Sequence, residues 1–345
     1  MKVGLLHPRS GVGGLWGPAL EAAALVGAAE INSKGGIDGQ KVEIVFGDCG
    51  FSHDEAMQTV DSLIEVEEVG AIIGGHASNV RDAVSARIAQ RVPYIYTPQY
   101  EGGATGPATV AIGSVDAELL APALAWFKAE RHAERFFFVG NDYIWPRMAA
   151  TTTRNILRRE GLHLVGERFL PVQMGVDYDL VLKQIVQSRA QVVVLALIGF
   201  AAVEFNRAFA AAGLDQKMLR FGLIVDETVV ANIGAEASVD VYTAAHYFSS
   251  QRSRFNDHFL ELYHDAFGAY APPASCASIG YYEGLHSLAG LVRESGSSVP
   301  RYLAHRLDRL GTPHMRAHRP GGSCRSVQLG VADGATLRVL AKLTH

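Results

Sequence analysis

Four parts of this 345-residue chain carry residue types that could do chemistry. The first is Ser10-Gly11-Val12-Gly13-Gly14-Leu15-Trp16-Gly17, a glycine-rich turn behind an apolar run. A P-loop needs a Lys-Ser/Thr pair that this turn lacks, and Trp16 stands where a dinucleotide fingerprint has its third glycine. The turn reads as a close backbone approach, not a nucleotide cradle. The second is Cys49 in Asp48-Cys49-Gly50. As a nucleophile it would need a His or cationic partner, and none can be assigned, so a small buried thiol is the plainer reading. The third is His314, His318 and Cys324, three potential zinc ligands. Pro313 and Pro320 bracket the two histidines in a glycine-rich stretch with Cys324 downstream, so helical i,i+4 geometry is not assured and a solvated loop is the plainer reading. No Gly-x-Ser-x-Gly elbow and no His-Glu-x-x-His pair exists. The expectation is a non-enzyme with no metal and no cofactor.

The fourth part is a set of loops. In open α/β sheets, ligands bind beyond the carboxyl ends of the strands. Strand Ala71–Ile73 runs into Gly74-Gly75-His76-Ala77-Ser78-Asn79, where Ser78 is placed to cap a helix and free N–H groups lie close by. Strand Tyr94–Tyr96 runs into Thr97-Pro98-Gln99-Tyr100-Glu101, a dense group of planar and polar side chains. Strand Phe136–Val139 is followed by Gly140-Asn141-Asp142-Tyr143-Ile144-Trp145-Pro146-Arg147. Asp226-Glu227 and His246-Tyr247-Phe248 end later strands. Aromatic walls with a few oriented polar groups suit a small polar ligand.

These loops need a scaffold, and the pattern supplies one. Strand-like runs alternate with helices such as the one whose face is Leu20, Ala24, Gly27, Ala28 and Ile31. Ser52 and Glu55 form a capping box before another helix. The rhythm predicts parallel sheets covered by helices on both faces, and it restarts after Gly113-Ser114-Val115-Asp116. The predicted fold is α/β, with two doubly wound Rossmann-like lobes interleaved by several crossover strands around a cleft. Residues 1–114 plus about 248–310 would form the first lobe, and 115–247 plus about 311–345 the second. Later elements are expected as helix Val203–Ala212, a strand near Phe221–Val225, helix Val299–Leu310 and a terminal pair of strands.

Composition narrows the function. An apolar fraction of 48% with 19% charged residues is that of a globular chain, which excludes disordered and collagen-like classes. A net charge of −4 argues against direct nucleic-acid binding. The longest apolar run, Val192–Val203, is too short to span a bilayer. Three scattered cysteines do not make a disulfide framework. A strand beginning at Val3, with no signal-peptide pattern before it, points to the cytoplasm; the periplasm is the alternative if a leader was removed.

Three segments resemble a known family. Glu30-Ile31-Asn32-Ser33-Lys34-Gly35-Gly36-Ile37-Asp38-Gly39-Gln40-Lys41-Val42 resembles the type I periplasmic-binding-protein superfamily. Tyr96-Thr97-Pro98-Gln99-Tyr100-Glu101-Gly102 and Asn141-Asp142-Tyr143-Ile144-Trp145-Pro146-Arg147 look like its amide- and urea-binding subgroup. That subgroup includes a cytoplasmic amide sensor that controls an aliphatic amidase operon through an RNA-binding antitermination partner. The resemblance implies a pocket at Ser78, Tyr96, Pro98 and Tyr143, with His76, Thr97, Tyr100, Phe200, Asp226 and Tyr247 completing the candidate set. His76 replaces a subgroup tyrosine, Thr97-Pro98-Gln99 a proline-threonine-proline order, and Gly199-Phe200-Ala201-Ala202 brings no hydroxyl. These departures imply a larger or more apolar amide.

The resulting expectation is a sensor that closes on an amide or urea-like ligand and regulates amide, nitrile or urea metabolism through a partner protein. A homo-oligomer is left open. The alternative is the substrate-binding protein of an ABC transporter for amides, urea or branched-chain amino acids.

Overall fold

The computed structural model describes residues 1–317, 319–320 and 326–343. His318 and Cys324 lie outside the described residues, as does the side chain of His314, so the three candidate ligands are not placed; the backbone from Pro313 to Ala317 is helical where a loop was expected. The described chain divides into two compact units.

The first unit holds Met1–Pro98, Gly103–Gly113 and the residues from Arg252 to Pro320. It runs through β1 (Lys2–His7), α1 (Gly17–Ser33), β2 (Glu43–Asp48), α2 (His53–Asp61), β3 (Ala71–Gly74), α3 (Arg81–Ile88), β4 (Tyr94–Tyr96) and β5 (Thr109–Ala111). The strands pair in parallel in the order β2-β1-β3-β4-β5. The second unit holds Gln99–Gly102, Ser114–Gln251 and the chain from Ser326. It begins with α4 (Asp116–Arg131), β6 (Arg135–Asn141), α5 (Ile144–Arg159), β7 (His163–Leu170) and α6 (Asp179–Ser188). β8 (Val192–Ala196), α7 (Gly199–Ala211), β9 (Leu219–Gly222), α8 (Glu227–Ile233) and β10 (Val241–Ala245) follow. The chain then returns to the first unit with α9 (Arg254–Phe267), α10 (Cys276–Ser295) and α11 (Pro300–Ala317), which is kinked at Gly311. β11 (Gln328–Asp333) and β12 (Thr336–Lys342) add antiparallel strands to the edge of the second sheet.

The second sheet has the order β12-β11-β10-β9-β8-β6-β7. Its five parallel strands repeat the first sheet's arrangement: the first strand lies between the second and the third. Both units are therefore doubly wound, with a topological switch point between β1 and β3 in one and between β6 and β8 in the other.

The core of the first unit follows from the sequence pattern. Leu20, Ala24, Ala28 and Ile31 of α1 are buried against Val3, Leu5 and Ile73 of the sheet and Leu285 and Leu288 of α10. Near that core Glu30, 8% exposed, gathers Lys34 Nζ at 2.7 Å, His258 Nε2 at 2.9 Å, His286 Nε2 at 3.0 Å and the Tyr282 hydroxyl. Burial works against its charge, but the bonds from Lys34, Tyr282 and His258 outweigh it and hold the carboxyl at about 2. The Ser52–Glu55 capping box forms.

Several boundaries differ from expectation. The division expected near residue 310 falls inside α11, where Thr312 Oγ1 accepts the Ala111 N–H of β5 at 3.3 Å within the first unit. The short strand β5 is missed because three residues carry too little period to register. α7 starts at Gly199, ahead of the expected Val203, because an unbroken apolar run hides where a strand ends and a buried helix begins. β9 ends at Gly222, and Leu223–Val225 lead into α8 instead of continuing the strand.

Candidate functional site

In the first unit the switch point is lined by the loops after β1 and β3. Gly75 N–H donates to the Leu6 carbonyl at 2.9 Å and the Tyr281 hydroxyl donates to the same oxygen at 3.1 Å, tying the two loops to α10. Tyr281 fills the space where Gly75 would carry a Cβ, so only glycine allows this approach. Beside it His7, fully buried, bonds Glu21 at 3.1 Å and meets Phe46 and Tyr281 edge-on.

His76 is the centre of the adjoining network. Its Nδ1 lies 2.9 Å from the Ala77 carbonyl, which can only accept, so Nδ1 carries the proton. Nε2 then accepts from the Tyr94 hydroxyl at 2.6 Å, and the rings of His76 and Tyr94 are stacked. The Tyr96 hydroxyl donates to the His76 carbonyl at 2.7 Å. Burial, with the nearby Arg81 charge adding, brings His76 down to about 4 against the bond to Ala77. It is neutral at physiological pH. Thr97 bonds the Gly74 carbonyl through both its N–H, at 2.9 Å, and its hydroxyl, at 3.2 Å. Pro98 is half-buried at the end of this segment.

Ser78 does not cap α3 as expected. It opens a 3-10 turn, Ser78–Val80, preceded by Ala77, and the N-cap of α3 is Val80. The turn carries Ser78 to 7% exposure next to Arg81, which is 5% exposed with its guanidinium carbon 5.4 Å above the Tyr96 ring. Sequence reasoning passed over Arg81 and Tyr94. The signals were there: Arg81 follows Ser78 by three residues, and Tyr94 shares a strand face with Tyr96. The structure thus brings His76, Ser78, Tyr96 and Thr97 into one region of the first unit.

The other candidates belong to the second unit. Tyr143, Phe200, Asp226 and Tyr247 follow β6, β8, β9 and β10, four adjacent strands, with Tyr143 and Phe200 flanking the switch point. Asn141 spans that point: its Oδ1 accepts the Ile198 N–H at 2.9 Å while its amide donates to the Pro171 carbonyl at 3.2 Å. Tyr143 precedes α5, its ring 6.2 Å from that of Trp145. Phe200 is the second residue of α7 and half-buried. Asp226 is the N-cap of α8, accepting from Val229 N–H at 3.1 Å, and not the end of a strand. Tyr247 is 1% exposed. Tyr100 sits in the segment Gln99–Gly102, bridged to Val115.

Two buried carboxyl groups stand out in this unit. Asp116, fully buried, accepts at Oδ1 from Gln99 Nε2 at 2.7 Å and Trp145 Nε1 at 3.1 Å. Burial pushes it up to about 7 in spite of these donors, and the Glu101 charge adds to the rise. Glu227 accepts from the Ser249 N–H at 2.6 Å and the Ser249 hydroxyl at 3.0 Å, and burial beside Asp226 raises it to about 8.

Cys49 is not placed as a nucleophile would be. Cys49 is completely buried, and burial pushes its thiol up, with the Asp48 charge adding, the reverse of what a nucleophile needs. Among the described residues no group of three or more His, Cys, Asp or Glu is arranged to hold a metal ion, and no helix is long and apolar enough to cross a membrane.

Known proteins agree with the architecture. A solute-binding protein of an ABC transporter from R. palustris, solved with 4-hydroxybenzoate, superposes with a TM-score of 0.83 at 20% identity, covering 99% of this chain and 96% of its own. The branched-chain amino acid transporter substrate-binding protein LivJ from Streptococcus pneumoniae, solved with isoleucine, gives 0.79 at 16% identity and 99% of both chains. A Leu/Ile/Val-binding protein homolog of Brucella abortus is 33% identical over 96 residues, 27% of this chain and 24% of the relative, so this chain matches about a quarter of that relative's length. The periplasmic binding protein family profile matches residues 1–319. With two doubly wound units and that match over nearly its whole length, the chain belongs to the periplasmic binding protein family.

Proposed function

We propose that the protein is the solute-binding component of an ABC importer, works in the periplasm, and captures a small organic acid without turning it over. The carrying observation is the placement of Arg81 and Ser78 beside Tyr96: a buried guanidinium and a hydroxyl against an aromatic wall. A guanidinium recognises a carboxylate through charge-assisted bonds, and the aromatic face takes the apolar body of the molecule. The ligands named for the structural neighbours, 4-hydroxybenzoate and isoleucine, are both carboxylates. In this reading Ser78, Tyr96 and Thr97 in the first unit are ligand contacts. His76 is held in its network and acts by positioning the loop that carries Ser78. The partner is a membrane permease.

The competing reading is the cytoplasmic amide sensor with an antitermination partner, carried by the Tyr96–Gly102 and Asn141–Arg147 motifs. One calorimetric titration separates the two, using 4-hydroxybenzoate, benzoate, isoleucine, acetamide and urea. Binding of a carboxylate that weakens at least tenfold in Arg81→Met supports the importer reading. Binding of acetamide or urea alone refutes it in favour of the sensor.

A further inference from the structure

The chain passes between its units after Pro98, Gly102, Gly113 and Gln251 and once more ahead of Ser326, and on the second unit's side the first and third of these passages are bonded together. Tyr100 N–H donates to the Ser114 carbonyl at 3.0 Å, and Asp116 N–H donates to the Tyr100 carbonyl at 3.0 Å. Gln99 Nε2 reaches the Asp116 carboxyl from the first passage, and Trp145 Nε1 reaches the same oxygen from the start of α5. Both donors converge on Oδ1. The second oxygen, Oδ2, is buried and has no hydrogen-bond partner among the described residues.

We propose that Asp116 is a proton-operated latch on the connections between the units: with the proton on Oδ2 the two passages are locked to each other and to α5, and its loss loosens them.

The physical reason lies in the uneven treatment of the two oxygens. A neutral acid keeps Oδ1 as the acceptor for its two donors and leaves on Oδ2 a single buried hydroxyl with no acceptor among the described residues, a smaller cost than a buried charge at the same place. A carboxylate needs donors on both oxygens, and a buried charge that lacks them is costly. The charged groups around Asp116 do not supply them. Glu101, on the first passage, is acidic and repels. Glu118, on α4 itself, accepts the Val115 N–H at 3.0 Å, and His246, after β10, lies 3.9 Å from Glu118. Among the described residues no Arg, Lys or His forms an ion pair with Asp116. Deprotonation therefore favours any arrangement that lets water reach Oδ2, and the route is to part Gln99 and Tyr100 from Ser114 and Asp116. The compartment's pH would then set how stiff the connections are.

Hydrogen exchange tests this without a ligand, so its outcome is independent of the solute assignment. The reporters are the amides of Tyr100 and Asp116, compared at equal pH between the wild type and Asp116→Asn, which keeps Oδ1 but cannot ionise. At pH 6 the two proteins should exchange alike. By pH 8.5 the wild type should exchange at least tenfold faster, with a midpoint near 7. Trp145→Phe removes a donor that favours the charged form, so its midpoint should move to higher pH; this comparison with wild type stands even if Asp116→Asn fails to fold. Equal exchange of wild type and Asp116→Asn at every pH, or a midpoint indifferent to Trp145→Phe, overturns the latch.

Discussion

Asp116 and Glu227 make the stability of the second unit fall as pH rises, and the size of the effect can be worked out. Each group has a raised pKa in the folded state: about 7 against an ordinary 3.8 for Asp116, and about 8 against 4.5 for Glu227. Between the ordinary and the raised value the unfolded chain has given up a proton that the native state still holds. Stability is thus fully present below the ordinary values and is lost as pH rises through the folded ones. Buried histidines act in the opposite sense but lower down: His76, brought to about 4, raises stability between there and pH 6.5 and is neutral in both states above that. The window from pH 6.5 to 8.5 therefore isolates the carboxyls. At about 1.4 kcal/mol per tenfold proton concentration, Asp116 loses about 1 kcal/mol across it and Glu227 about 2 kcal/mol. The assay is urea unfolding followed by circular dichroism at several pH values, with the units allowed separate transitions. A loss of roughly 3 kcal/mol corresponds to a midpoint lowered by about 1–2 M. The double variant Asp116→Asn, Glu227→Gln should be nearly flat over the same range. A wild type as stable at pH 8.5 as at 6.5, or a double variant that declines equally, would refute the argument.

Other perturbations reach different parts of the molecule. Glu30→Ala strands the donors of Tyr282 and His286 and should cost the first unit about 2 kcal/mol in urea unfolding, a moderate sum because Lys34 and His258 are open to water. Gly27→Val would press a side chain onto Leu285 and Tyr282, each already 3.2 Å from the point a Cβ would occupy, and should cost about 1–3 kcal/mol by forcing α1 away from α10. Cys49 should resist a thiol reagent in the folded protein and react only on unfolding, as mass spectrometry of the labelled peptide would show; rapid labelling of native protein would contradict its burial. Tyr96→Phe deletes the bond to the buried His76 carbonyl and should cost the first unit about 1–3 kcal/mol in urea unfolding, with a higher dissociation constant for the ligand alongside.

Local chemistry is legible in the amino-acid order alone. The α1 face, the Ser52–Glu55 cap and the strand–helix alternation depend on neighbours within a few residues, so periodicity is enough to locate those elements. The same alternation, with loops rich in Tyr, Ser and Gln after successive strands, determined the α/β class and a candidate set that spans both units. The restart of the rhythm after Gly113 made two doubly wound lobes legible, but which strands are neighbours within each sheet is a choice among long-range pairings that local pattern does not record. Only tertiary structure decided that Tyr143 and Phe200 flank a switch point and that Ser78 opens a 3-10 turn instead of capping a helix. Burial is likewise a property of the folded molecule: nothing in Asp116 or Arg81 as letters marks an acid whose second oxygen meets no donor, or a guanidinium laid over an aromatic ring. The ionisation of those groups follows from packing by residues far away in the chain.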